Sequence, residues 1–327
     1  MRAIICRTLG EPLTLEELPS PLLGPGQVRI ATHAAGVNFA DSLITAGKYQ
    51  EKPPLPFVPG FEIAGRVAEL GAGVTGLAPG DRVMALTGWG GFAEEAVVVA
   101  DAVFKIPDVM SFEAAAGFPI AYGTSHGALD WRADLKPGEI LLVHGAAGGV
   151  GLTAVEIGKA MGATVIATAS SAAKLEIARS RGADHLIDYS TEDVQARVKE
   201  LLGERRVDVA YDPVGGSAFD ASLKTIAWEG RILVIGFAGG TVPQIPANIL
   251  LVKNCSVIGF YWSSYRTRNP AKLCRSFETL LGWVGEGKLQ PLVSETLPLE
   301  RTVEAIERLK SRQATGKVVV TMGRSVL

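Results

Sequence analysis

The chain has 327 residues, 47% of them hydrophobic and 20% charged, with a formal net charge of −2. That is the composition of a globular protein long enough for two domains, each with its own core, rather than of a disordered chain. With no long basic run and no apolar run as long as a membrane span, nucleic acid and membrane are not expected partners.

The first ~110 residues read as short strands. "QVRIATHAAGV", "EIAGRVAEL", "DRVMAL" and "AEEAVVVA" are each flanked by turn signals such as "GPGQ", "APGD" and "TGWGG". Such spacing suggests a small, mostly antiparallel barrel. "SFEAAAGFPIAYGTSHGAL" then reads as a helix, with Ser111 as its N-cap and Glu113 in the first turn. From "EILLVH" onward strand and helix alternate, through "TVIATAS", "HLIDY", "VDVAYD", "RILVIG" and "CSVIGFYW". These strands are continuous apolar runs, as in a parallel sheet covered by helices on both faces. Two amphipathic helices, "AKLCRSFETLLGWVGEG" and "ERTVEAIERLKSRQ", and a strand "KVVVTM" follow. This tail is too short for another domain and is expected to return to the first. The expected division is 1–118 with 263–327, and 119–262.

Cys6, Cys255 and Cys274 fit neither a disulfide framework nor a zinc cluster, and the start lacks the apolar core of a signal peptide. A cytoplasmic location is therefore expected.

"VHGAAGGVGL" holds four glycines between a buried strand and a helix. Ala146, Gly148 and Gly151 take the three positions of a G-x-G-x-x-G fingerprint. The first makes the tight turn, the second lets a pyrophosphate approach, and the third lets helix and strand pack closely. Gly149 and Val150 begin the helix, whose N–H groups and dipole favour phosphate. The alternative is a tight turn that binds nothing. At the end of the second strand, Ser170 and Ser171 stand where an NAD site would carry an acid, and Lys174 follows. A hydroxyl and an ammonium suit a 2′-phosphate, which favours NADPH, although Lys174 also fits as a solvated helix lysine.

"HGAAGGVGLTAVEIGKAMGA", "YDPVGG", "GRILVIGFAGG" and "NILLVKNCSVIGFYW" together resemble the zinc-independent quinone oxidoreductases of the medium-chain dehydrogenase/reductase superfamily. That group also includes zeta-crystallin and enone or enoyl-thioester reductases, and the resemblance runs from "MRAI" to "TGKVVV". It implies a GroES-like, mostly antiparallel β-barrel domain plus a Rossmann doubly wound parallel-sheet domain. It also implies NADPH as cofactor and a homodimer joined edge to edge through the Rossmann sheets. Lys174, Tyr189 and Arg312 match positions around the adenosine 2′-phosphate, with Ser170 close by; Arg312 also fits as an exposed helix-end residue. Asn38 and Asp41 match the floor beside the nicotinamide. Tyr49 matches a substrate-facing tyrosine, and Thr124 a threonine near the nicotinamide. The loops "DPVGG" and "GFAGG", the latter with Gly236 and Phe237, are expected over the nicotinamide ribose, at the carboxyl edge of the sheet. Tyr261 and Trp262 are expected either to wall the pocket or to pack an interface.

Zinc relatives carry a cysteine and a histidine where this chain has Asn38 and Phe61, neither of which replaces a thiolate or imidazole. His33, His126, His144 and His185 share no ligand spacing and read as packed or surface histidines. The expected chemistry is metal-free hydride transfer to a quinone or related α,β-unsaturated carbonyl. Asn38 would orient the carboxamide or meet the substrate oxygen, Asp41 would brace the loop, and Tyr49, a phenol, would donate the proton. Each has a plainer reading: Asn38 as a helix cap, Tyr49 as a loop aromatic, Thr124 as a helix threonine bonding its own backbone. Two rival functions remain. An enoyl-CoA reductase would need a basic entrance; no obvious cluster shows in the first domain, and the candidates, Arg266 and Arg268 by "TRNPAK", fit a solvated loop better. A non-catalytic, NADPH-loaded binding protein is the other.

Overall fold

The computed structural model describes residues 1–311 and 314–323, so Arg312 lies outside the described residues. The chain divides into two compact units, Met1–Ile120 with the chain from Pro291 onward, and Ala121–Gln290. In chain order the strands are β1 (Arg2–Ile5), β2 (Thr14–Glu17), β3 (Gln27–Val37), β4 (Glu62–Leu70), β5 (Arg82–Leu86), β6 (Glu95–Val99), β7 (Val103–Lys105), β8 (Ile140–Val143), β9 (Thr164–Ala169), β10 (His185–Asp188), β11 (Val207–Asp212), β12 (Ile226–Val234), β13 (Ser256–Gly259), β14 (Val293–Pro298) and β15 (Lys317–Thr321).

In the first unit the larger sheet runs β14-β15-β3-β4-β5-β7, with β6 also on β3; all its pairings are antiparallel except β14 with β15. The long strand β3 alternates half-buried and buried residues over its first part, then is buried from Ala34 to Val37. Its inward residues meet Ile63, Val83, Phe92, Val318 and Val320 in one apolar core. Two registers matter for the site. Val318 of β15 lies opposite Val37 of β3, and Ile63 of β4 lies opposite Ala35. Lys317, Asn38 and Glu62, each one residue beyond these pairs, are thereby brought together.

The second unit is a six-stranded parallel sheet in the order β10-β9-β8-β11-β12-β13. This is the doubly wound order, whose direction reverses between β8 and β11 and opens a crevice at the carboxyl ends of those strands. All four residues of β8 are buried, as a central strand covered on both faces requires. Helices Gly149–Ala160, Ala172–Ser180, Val194–Leu202 and Ser217–Thr225 follow successive strands.

Three expectations change. The helix expected to begin at Ser111 does start there, with Ser111 Oγ accepting the Ala114 N–H (3.1 Å). It ends at Gly117, and a second helix, Pro119–His126, runs into a single π turn at Gly127–Arg132. Pro119 has no N–H to continue the first helix but suits the first position of the second. The return to the first unit comes at Pro291, later than the expected residue 263. Helix Pro270–Gly285 clusters with the second unit: Ser276 Oγ lies 2.8 Å from His126 Nδ1, and Phe277 packs edge-on to Trp262. Trp262 is buried against Gly123, so it is a core residue of that unit rather than a pocket wall.

Candidate active site

The turn after β8 is built from glycines with different duties. Gly145 has φ +59°, in the region that favours glycine. A Cβ on Gly151 would sit 2.1 Å from Gly145 O, so the helix can approach the turn only without a side chain there. A Cβ on Gly148 would meet nothing closer than Gly145 O at 3.4 Å. The protein's own packing therefore does not require glycine at 148; a group lying against that backbone from outside would. Gly148 is the N-cap of helix Gly149–Ala160 and offers no side chain to cap it. The N–H groups of Gly149, Val150 and Gly151 have no intrahelical acceptor and suit an anion. Ala146, buried, anchors the turn by donating its N–H to Thr168 O (3.0 Å).

Three further candidates gather where β9 and β10 end. Ser171 caps helix Ala172–Ser180, and Lys174 on its first turn donates from Nζ to Ser170 Oγ (3.4 Å). Half-exposed Tyr189 follows β10, and its N–H bonds Ala169 O (3.1 Å), which places it beside the end of β9. The residues that close β9 are serines, and an ammonium stands over them. These groups fit the 2′-phosphate of NADPH and would not repel it. Farther along the same sheet edge the two expected loops are tied together. The Ala238 and Gly239 N–H groups bond Pro213 O and Val214 O (3.0 and 2.8 Å), with Asp212 Oδ1 accepting from Val214 and Gly215 N–H (2.8 and 2.9 Å). Gly236 and half-exposed Phe237 lie in this paired loop.

Thr124 is half-buried on helix Pro119–His126. Its neighbour Ser125 is a hub that residue spacing does not expose. Ser125 Oγ donates to Val150 O (2.9 Å) and lies 2.8 Å from Thr153 Oγ1 and 2.9 Å from the Tyr211 hydroxyl. The helix that carries Thr124 is thus pinned to the first turns of helix Gly149–Ala160. His144 is bonded through both ring nitrogens, to Thr168 Oγ1 (3.1 Å) and Ser222 Oγ (2.8 Å), and burial lowers its pKa, so it stays neutral. His126 is likewise lowered by burial, and His33 stacks on Phe112.

In the first unit Asn38 precedes helix Phe39–Thr45, and Asp41 Oδ2 accepts the Asn38 N–H (2.7 Å). Asp41 is fully buried, and its Oδ1 has no hydrogen-bond partner. Burial pushes its pKa up to about 8, so the carboxyl is mostly neutral at pH 7. The Asn38 amide is engaged at both ends. Its Nδ2 donates to Glu62 Oε1 (2.8 Å), and its Oδ1 accepts from Lys317 Nζ (2.8 Å). Lys317 Nζ also donates to Glu62 Oε1 (2.8 Å) and Val37 O (3.1 Å), while Glu62 Oε2 accepts the Ile120 N–H (2.7 Å). Tyr49 is half-buried, its ring 5.3 Å from that of Phe61, on a cluster with Cys6, Ile44 and Phe57. The structure therefore brings Asn38 and Asp41 into direct contact and sets Tyr49 against Phe61, the neighbour of Glu62. Glu62 and Lys317 are the participants that motif reading misses; the available signal is one charge embedded in each of the apolar stretches "FEIAG" and "KVVV".

These residues do not fit a zinc ion. The two positions compared with zinc ligands are an amide and a buried phenyl ring, and the Lys317 ammonium lies 2.8 Å from both Asn38 Oδ1 and Glu62 Oε1, where it would repel a metal. Among the described residues no three His, Cys, Asp or Glu side chains are grouped to hold a metal ion.

Two family models match the chain: an alcohol dehydrogenase GroES-like domain over residues 24–108 and a zinc-binding dehydrogenase over 149–277. A quinone oxidoreductase-like protein 2 homolog of Nematostella vectensis is 46% identical over 323 residues, covering 98% of this chain and 88% of the relative. The quinone oxidoreductase-like protein 2 of Rattus norvegicus is 41% identical, covering 98% of this chain and 92% of the relative. Among solved structures, the Escherichia coli quinone oxidoreductase complexed with NADPH matches with a TM-score of 0.91 at 31% identity, over 98% of this chain and 100% of that one. With its GroES-like and Rossmann-like units, an Asn38–Glu62–Lys317 cluster unfit for zinc and these whole-length likenesses, the chain belongs to the zinc-independent, quinone oxidoreductase-like family of the medium-chain dehydrogenase/reductase superfamily.

Proposed function

We propose that the protein is an NADPH-dependent reductase of quinones or related α,β-unsaturated carbonyls that works without a metal. The observation that carries this reading is the group at the end of β9: Lys174 over Ser170, with no acid closing the strand, beside a glycine turn left without a capping side chain. When bound, the nicotinamide supplies the hydride to an electron-poor carbon of the acceptor. The chain's residues do the rest. Gly148–Gly151 hold the pyrophosphate at the helix N-terminus. Ser170, Lys174 and Tyr189 hold the 2′-phosphate, joined in this proposal by Arg312. Thr124 orients the carboxamide, and the Gly236–Phe237 loop shields the ribose from water. Tyr49 donates the proton to the acceptor oxygen. Asn38 and Asp41 shape the floor, with Asn38 committed to its neighbours rather than turned to substrate. The outer edge of β13 and the exposed Trp228, Leu251 and Val252 near it support a homodimer joined through the Rossmann sheets. The buried thiols of Cys6 and Cys255 support a reducing compartment such as the cytoplasm.

The test is loss of nicotinamide absorbance, NADPH against NADH, with a simple quinone, a simple enone and crotonyl-CoA, in the presence of a chelator. Fast oxidation of NADPH by quinone or enone supports the proposal. Turnover only with the thioester moves the substrate class to enoyl-CoA. NADPH binding without turnover leaves a binding protein.

A further inference from the structure

The floor of the first unit holds an ion pair that the hydride-transfer scheme above leaves without a role. Lys317 and Glu62 are 9% and 0% exposed in their side chains and 2.8 Å apart. Taking two charges out of water costs more than their attraction returns in many proteins, and apolar replacements often stabilise. A pair kept in that state needs a reason beyond stability. The surrounding backbone makes room for it. A Cβ on Gly36 would lie 2.4 Å from Glu62 Oε1, and a Cβ on Gly117 would lie 3.1 Å from the Cβ, Cγ and Cε of Lys317. The Cβ-free Gly36 and Gly117 thus leave room for this carboxylate and this ammonium stem, and at Gly36 the Ala116 carbonyl, also 2.4 Å from a Cβ, excludes a side chain as well.

The pair grips the Asn38 amide from both sides. Lys317 Nζ donates to Asn38 Oδ1, and Glu62 Oε1 accepts from Asn38 Nδ2 (2.8 Å each). The amide cannot flip: a flip would set an N–H against the ammonium and an oxygen against the carboxylate. Asn38 is also the residue whose N–H Asp41 holds, so its setting fixes the start of helix Phe39–Thr45, from which the chain runs on to Tyr49.

We propose that Glu62 and Lys317 are positioning residues for hydride transfer, acting through Asn38 to hold the segment from Asn38 to Tyr49 in the geometry the reaction uses. The proposal rests on the reading of this unit as the floor of the quinone-reducing site.

The test uses the full chain carrying Glu62→Gln together with Lys317→Met. The double variant leaves no unpaired buried charge and therefore folds, whereas Lys317→Met alone would strand a carboxylate. Glutamine has one acceptor for two donors, Asn38 Nδ2 and Ile120 N, and methionine donates nothing to Asn38 Oδ1, so the clamp opens. Expected is a fall in kcat with 1,4-benzoquinone of about tenfold or more, with Kd and KM for NADPH within about twofold of the parent and Tm undiminished. A purely structural pair would move Tm and leave kcat alone, so a kcat within about twofold of the parent overturns the proposal. A second readout needs no turnover. Amide hydrogen exchange over residues 38–45 should quicken about tenfold or more in the double variant, and protection equal to the parent's overturns the clamp. A parent chain that oxidises no NADPH with any quinone sinks the functional reading and leaves the exchange result to decide the clamp alone.

Discussion

Asp41→Asn separates the buried carboxyl's charge from its shape. In the folded protein burial raises the Asp41 pKa to about 8, with Lys317 and Glu62 pulling in opposite directions as smaller influences. In the unfolded chain an aspartate releases its proton near pH 4. Between those limits the folded state holds a proton that the unfolded state has lost. The stability contributed by the neutral carboxyl is therefore complete below about pH 4 and is lost progressively as the pH rises to about 8. At about 1.4 kcal/mol per pH unit, the loss amounts to about 5–6 kcal/mol across that window. Asparagine keeps a carbonyl for the Asn38 N–H and carries no proton to lose. Its amide N–H₂ would replace Oδ1, which has no hydrogen-bond partner, at a cost of about 2 kcal/mol. The variant should be the less stable protein at pH 5 and the more stable one by about 3–4 kcal/mol at pH 8.5, with the two curves crossing between about pH 5 and 6. Urea unfolding followed by circular dichroism from pH 4.5 to 9, with the m-value checked at each pH, measures both curves. Parallel curves would mean that the Asp41 carboxyl is already ionised in the folded state, where it contributes no such slope.

Two alanine substitutions in one turn should behave oppositely. Gly151→Ala drives a Cβ to 2.1 Å from Gly145 O and should cost about 2 kcal/mol or more, read as a lowered Tm. Gly148→Ala meets only an ordinary contact, so Tm should hold while NADPH affinity falls about tenfold or more by calorimetry. Lys174→Ala removes a charge-assisted contact to the 2′-phosphate and should raise KM for NADPH about 10- to 100-fold while leaving KM for NADH unchanged. Tyr49→Phe should lower kcat with a quinone about 100-fold without changing the NADPH Kd, and an unaltered kcat would remove Tyr49 from the chemistry.

The parts of this fold written in local pattern are legible. β3 and β4 occupy the stretches "QVRIATHAAGV" and "EIAGRVAEL" with the bounds that their turn signals suggest. The parallel strands are readable because burial on both faces leaves unbroken apolar runs such as "ILLV". The tight turn after β8 is readable because Gly145 and Gly151 are demanded there by a positive φ and by a contact six residues apart in the chain. Legibility fails where the deciding contact is remote. Helix Pro270–Gly285 looks equally amphipathic whichever unit it covers, and contacts such as Ser276 with His126 and Phe277 with Trp262 assign it. Ser125 reads as an ordinary helix serine until Tyr211, 86 residues away, arrives within 2.9 Å of it.

Glu62 and Lys317 carry the same lesson further, since 255 residues separate them. A lysine at the head of a valine run reads as a strand-end charge placed for solubility. Its meaning depends on register. Val318, Val319 and Val320 are fully buried, and their pairing with Val37, Gly36 and Ala35 brings Lys317 to Asn38. A slip of one residue would turn every side chain of β15 to the opposite face, setting a valine against the Glu62 carboxylate and Lys317 against the apolar core. The apolar burial that selects the register is thus the same event that assembles the ion pair. Once assembled, the pair penalises every other register, because each would strand a buried charge. The hydrophobic pattern of "KVVVT" therefore encodes the polar clamp only indirectly, through the fold that its valines enforce.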